Sequence, residues 1–253
     1  MSCREVSLRV SLAVLATVAS ATLLAGEVDA AKAKRPPVIG VVTEGVAEKL
    51  YGAPKIKKNK AALVGKTFTA VCDGAVATWK LTDLGDDGAL VGGFVGGAKG
   101  KHCLLLDAPA GAVVAAKSRP TPSTAQVTAA KAAALAALTP KKGDAPQKVD
   151  VTVFHDGESF VAVAQASFPV TNPKSNCLEH GALVVLTEKD DGAWRSFFRP
   201  QAKGKKVCGY GFFTRGDVDG DGRDEIALRV DKEDEYGYRI MKRGKGSYDV
   251  IAK

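Results

Sequence analysis

Two cysteine pairs of identical spacing constrain this chain more than any other feature. Cys72 and Cys103 are 31 residues apart, and so are Cys177 and Cys208. None of them forms a CxxC pair, and in an exported chain such an even set favours two disulfides over a metal cluster or reactive thiols. Spacing alone leaves three pairings open. The two stretches also resemble each other: of the 32 positions from Cys72 to Cys103, 14 are identical to the stretch from Cys177 to Cys208 when one residue is skipped in each, Leu84 in the first and Val207 in the second. Leu81 and Thr82 match Leu186 and Thr187, residues 86–89 match residues 190–193, Phe94 matches Phe198, and Ala-Lys-Gly-Lys recurs before the final cysteine. Such self-similarity reads as a duplication. If the copies share a structure, the simplest bonding is Cys72 to Cys103 and Cys177 to Cys208, each stapling its own unit. Cross-links between the copies would be symmetric as well. On the loop-entropy model a closure of this length contributes about 3–4 kcal/mol.

The oxidising compartment is expected from the N-terminus. Arg4 and Arg9 precede an apolar run over residues 10–26 that is short of the about 20 residues of a membrane helix, so it reads as a secretory signal over residues 1–30, with a mature start at Ala31. An uncleaved N-terminal anchor is the alternative. Glu27 stands where a lipoprotein signal would need Cys. Losing residues 1–30 removes two basic and three acidic residues and leaves a formal charge of +9. The excess sits in short clusters (Lys32, Lys34, Arg35; Lys55, Lys57, Lys58, Lys60; Lys203, Lys205, Lys206) that suit solvated loops or contact with a cell-surface protein or polyanionic glycan. No recognition helix or stacking motif accompanies them, so nucleic acid is not expected as a partner, nor a membrane once the signal is cleaved.

Within each copy Asp-Asp-Gly separates two apolar segments, the signature of a hairpin. The neighbouring carboxylates Asp86 and Asp87, and Asp190 and Asp191, are turn residues on this reading, not an acid/base pair. Trp194 and Phe198 lie opposite Leu90 and Phe94 in the alignment and are expected to pack, whereas Phe197, opposite Gly93, is the candidate exposed ring. Between the copies, Ser123 and Gln126 form a capping box ahead of an Ala-rich run without Gly or Pro, which predicts a helix over residues 124–138. A shorter helix is expected around residues 43–50. The fold class is therefore mainly β with one or two short helices and duplicated hairpin units. Residues 31–119 form the first stapled unit, 120–148 a helix and linker, and 149–253 the second unit.

The sharpest motif is Gly-Asp-Val-Asp-Gly-Asp-Gly-Arg-Asp-Glu from residue 216. Alternating Asp217, Asp219 and Asp221 can wrap carboxylates round one hard cation, with the Arg223 carbonyl and Glu225 closing the shell and Gly222 permitting the bend. This is calcium chemistry. An EF-hand would place Glu at loop position twelve, where Leu228 stands, and the Glu-Ile-Ala-Leu-Arg-Val that follows the loop is strand-forming. An Asp loop running into a strand resembles the calcium loops of FG-GAP and VCBS repeat proteins, over about residues 209–253. The resemblance implies a blade of successive strands, partial or divergent from a propeller, and a structural calcium ion on Asp217, Asp219, Asp221, Arg223 and Glu225. A Gly-Ala-Pro usually follows the loop in FG-GAP blades; here Leu-Arg-Val-Asp follows it.

Other chemistry is thin. His102, His155 and His180 lack metal spacing, and His102 aligns with Lys206, which suggests a surface position. No nucleophile elbow or phosphate loop is complete. The expectation is an exported, calcium-stabilised binding or structural protein more than an enzyme. A hydrolase or inhibitor using a cleft between the two halves is the rival, and it would need His155 or His180 gathered there with carboxylates.

Overall fold

A computed structural model describes residues 38–49, 63–85, 89–96, 100–108, 118–138, 146, 148–170, 176–177, 179–200 and 207–252, and among these described residues branched and apolar side chains in alternation build fourteen strands. In the first half, β1 (Val38–Thr43), β2 (Val46–Lys49), β3 (Thr67–Cys72), β4 (Ala75–Leu84), β5 (Leu90–Phe94) and β6 (His102–Leu106) close a barrel in the order β1-β2-β5-β4-β3-β6. The helix α1 (Thr124–Leu138) follows. Then β7 (Lys148–His155), β8 (Phe160–Pro169), β9 (Glu179–Glu188) and β10 (Trp194–Phe198) form a four-stranded sheet, here sheet B, in the order β10-β9-β8-β7. The strands β11 (Val207–Gly216), β12 (Glu225–Lys232), β13 (Tyr236–Arg243) and β14 (Tyr248–Ala252) make a sequential antiparallel meander, sheet C.

The period of two along each strand stacks these layers. On β6, Cys103 and Leu105 fill the barrel with Trp79, Leu81 and Phe68, while Leu104 and Leu106 face outward onto Phe213, Ala227 and Ile240 of sheet C. On β12, Ile226, Leu228 and Val230 point the other way, to Val161, Val163 and Leu183 of sheet B. On β8, Ala162, Ala164 and Ala166 face α1. Sheet C therefore lies between the barrel and sheet B and shares a buried cluster with each. The turn between β3 and β4 docks onto β11, where Asp73 N–H donates to Thr214 Oγ1 (3.1 Å) and Gly74 N–H to the Arg215 carbonyl (3.0 Å).

The fold is mainly β, as expected, and α1 spans the expected residues. Its capping box is reciprocal: Gln126 N–H donates to Ser123 Oγ (3.2 Å) and Ser123 N–H to Gln126 Oε1 (2.9 Å). Ala130, Ala134 and Leu138 are the buried stripe, and two small side chains let the helix lie close on sheet B. No helix among the described residues is long and apolar enough to cross a membrane.

Residues 43–49 are not helical. Glu44 and Gly45 turn with φ of 50° and 92°, and β1 and β2 pair across them. Gly45 accepts that left-handed backbone without penalty, and the valines on either side favour a ladder over a helical turn. Leu50 lies outside the described residues.

Both disulfides are intra-unit: Cys72–Cys103 with Cα atoms 4.2 Å apart and Cys177–Cys208 with 5.5 Å. Two such bonds place the folded chain in an oxidising, non-cytoplasmic compartment. Each staple encloses a hairpin, β4-β5 and β9-β10. The second hairpin turns on Asp191, whose Oδ1 accepts Ala193 N–H (2.9 Å); Asp86 and Asp87 lie outside the described residues. The last strand of each staple pairs differently. β6 returns to β3 and helps close the barrel, whereas β11 pairs with β12. Trp194 and Phe198 pack as expected, against the α1 cluster and the sheet B–sheet C core. Phe197 is not an exposed ring: it is half-buried, edge-on to Tyr248 at 5.7 Å with the Arg243 guanidinium 5.0 Å from its centre.

Candidate metal centre

The Asp loop joins β11 to β12, so Gly216 and Glu225 are paired at the base of the turn and the loop residues fold back over them. Each Asp first organises backbone. Asp217 accepts N–H groups of Gly220 (2.7 Å) and Gly222 (2.8 Å), Asp219 that of Asp221 (3.2 Å), and Asp221 that of Arg223 (2.9 Å). These bonds fix one oxygen or both on each carboxylate and bend the chain into a cup. Into the cup comes Glu225 from the first position of β12, fully buried, with Oε2 accepting Val218 N–H (2.9 Å). Its Oε1 is buried and has no hydrogen-bond partner.

One carboxylate oxygen each from Asp217, Asp219 and Glu225 lie within 4.8 Å of one another. Asp221 stands beside this group with its carboxylate one-third exposed, and Arg223 turns its guanidinium to Glu158 (2.9 Å). The all-oxygen donor set is the kind a hard cation takes. Burial pushes the Glu225 carboxyl up to about 8, against the Val218 N–H bond, and the charge of Asp219 adds to the rise. Asp217 is also raised, by burial first and by Asp221 and Asp219, despite its two backbone N–H bonds.

Sequence reasoning missed the cation the loop already faces. Lys242, near the end of β13, pairs with Asp219, lies 2.6 Å from Asp221 Oδ2, and reaches 3.8 Å from Glu225 Oε1. Burial works against its charged form, but the bonds to Asp219 and Asp221 prevail and raise its pKa. Burial raises Asp221, but the Lys242 bond, the Arg223 N–H and the charges of Lys242 and Arg223 together outweigh it and keep that carboxyl below its ordinary value. No spacing rule links residue 242 to residue 219. Only the β12-β13 pairing, with Ile226 opposite Met241, brings them together.

A second charged layer holds the loop from below. Asp224, buried, pairs with Arg119 (2.7 Å) and with Arg215, and its N–H donates to the Asp156 carbonyl (2.7 Å). Asp156, also buried, takes Arg243 at 2.6 Å and the N–H groups of Glu158 and Ser159 at 2.9 Å each. Arg119 further donates to the carbonyls of His155 (3.2 Å) and Gly222 (3.3 Å). The loop is thus bolted to the β7-β8 turn and to the segment before α1. Asp224 sits inside the motif, but the alternating ligand pattern passes over it to its neighbour Glu225.

His155 and His102 pack in separate places. His155 accepts Gly157 N–H at Nδ1 (3.1 Å) and stands edge-on to Phe160. His102 is half-buried and stacked at 4.7 Å on Phe213, not the exposed surface residue that its alignment with Lys206 suggested. The lysine clusters at 32–35, 55–60 and 203–206 and the signal segment lie outside the described residues. No protein-family model matches the chain, and no curated protein or solved structure does either.

Proposed function

We propose that the protein is an exported, calcium-stabilised binding or structural module of FG-GAP/VCBS type, built on a duplicated stapled unit. Asp217, Asp219 and Glu225 hold the ion, with Asp221 and the Arg223 carbonyl completing the shell, and the ion stiffens the β11-β12 turn. The observation that carries this reading is Glu225. Its buried Oε1 makes no hydrogen bond and has only the Lys242 ammonium, 3.8 Å away; ionising it at full burial is costly without a closer cation, and two further acids aim oxygens at the same point. The partner on this reading is a cell-surface protein or a polyanionic glycan reached through the lysine clusters. A hydrolase using the cleft between the halves has less support, because neither His155 nor His180 lines the cleft found there.

The test is thermal unfolding in calcium and in chelator. Binding stabilises by mass action, about 2.7 kcal/mol at a hundredfold excess over Kd. Calcium raises Tm in the native protein, and Asp219→Ala largely removes the rise. Identical melting curves with calcium and with chelator refute the ion assignment.

A further inference from the structure

A cleft of about 820 Å³ opens where the barrel rim meets the edges of sheets B and C, within the 300–1,000 Å³ or so usual for small-molecule sites. Gly181, Gly209 and Gly211 are among its lining residues, and a Cβ on Gly209 would stand 2.4 Å from the Gly181 backbone, so β9 and β11 pack there backbone to backbone. One wall is a run of interlocked rings. Phe213 lies 4.7 Å from both His102 and Tyr238, and Tyr238 lies 5.9 Å from Tyr236. Tyr236 is 47% exposed, with the Arg229 guanidinium over its ring 4.6 Å from the centre.

The charges along the cleft are nearly balanced, three cations against four carboxylates, and most are matched beside one another. Arg229 pairs with Asp231 (2.7 Å), Lys148 with Asp150 (2.8 Å) and Lys232 with Glu235 just outside, while Tyr236 donates its hydroxyl to Glu48. A polyanion finds no unmatched positive field here. Neutral hydrogen-bonding groups remain: Gln165 uses Oε1 to accept Phe212 N–H (2.8 Å), which leaves its amide NH2 for a ligand. A preformed aromatic wall loses little side-chain freedom on binding and offers faces or edges to flat C–H surfaces. A neutral ligand with apolar ring faces and a rim of hydroxyls satisfies both sets of groups.

We propose that this cleft binds a neutral oligosaccharide, with Tyr236 and Tyr238 as the stacking wall and Gln165 as a polar contact. The proposal rests on the reading of the chain as a binding module but not on calcium, since no residue from 217 to 225 lines the cleft. The experiment titrates the full mature chain with maltohexaose, cellohexaose, chitohexaose and a heparin hexasaccharide, by calorimetry and by NMR shifts, once in calcium and once in chelator. At least one neutral hexasaccharide binds under both conditions and perturbs the tyrosine ring signals. Tyr236→Ala, an exposed position checked by an unchanged melting curve, weakens that binding about tenfold, and Tyr236→Phe restores most of it. No neutral binding at millimolar sugar, binding indifferent to Tyr236→Ala, or preferential capture of the heparin fragment at these rings overturns the proposal. Calcium-independent melting together with sugar binding leaves it standing while removing the ion reading.

Discussion

Replacing Lys242 by Met separates the two ways in which the Asp loop can neutralise its acids. The ammonium pairs with Asp219, lies 2.6 Å from Asp221 and stands 3.8 Å from Glu225. On the proposed reading calcium would need the same oxygens as this ammonium, so an entering ion would first displace the lysine. At about 4 Å and an effective dielectric near 20, one unit pair is worth about 4 kcal/mol before desolvation. Lys242 is 20% exposed and Asp221 33%. Solvent screening and the cost of fixing a long side chain reduce the net pair to about 1–3 kcal/mol. Removing the competitor should therefore tighten calcium binding by about tenfold to a hundredfold, while the chelated protein loses stability because the carboxylates face one another uncompensated. Calcium titration by calorimetry, with melting curves in chelator, measures both. Met keeps the apolar stem that covers the strand, so lost packing is a small part of the change. Unchanged or weaker affinity in Lys242→Met refutes the competition argument. Absence of calcium binding in both proteins refutes the site itself.

Three further outcomes are expected. Asp224→Ala strands Arg119 and Arg215 without their buried partner, and breaking such a pair costs about 3–5 kcal/mol, read as a fall in denaturant midpoint without a change in slope. Ser123→Ala removes the cap of α1 and costs about 1 kcal/mol, measured by chemical unfolding; a loss above about 2 kcal/mol would mean the residue does more than cap. In chelator, stability should decline as pH rises from about 4.5 towards 8. Glu225 keeps its proton in the folded chain up to about 8, whereas the unfolded chain releases it near 4.5, so the native state binds the extra proton across that window and its contribution is fullest below it. Each unit of that interval is worth about 1.4 kcal/mol. Glu225→Gln flattens the slope, and a slope that persists in the variant assigns it to another group.

Local chemistry carried much of this structure in plain view. The capping box and the unbroken Ala-rich run set α1, because both ends and the interior of that helix depend on residues within four positions of one another. The Asp-Asp-Gly turn of the second staple and the loop of alternating aspartates were equally legible, since each side chain there bonds a backbone N–H two to five residues away. The four residues of β2 have mixed propensity and read locally as helix; pairing with β1 and β5 makes them a strand. What no local pattern could supply was the partner of each charge. Lys242 reaches Asp219 from 23 residues away through strand pairing within sheet C, while Arg243 reaches Asp156 from 87 and Arg119 reaches Gly222 from 103 through packing that depends on the whole set of buried faces. The cleft is of the same kind: its glycines are visible in the sequence, but that Gly181 and Gly209 meet is a property of two strands packing backbone to backbone, which only the packed sheets determine.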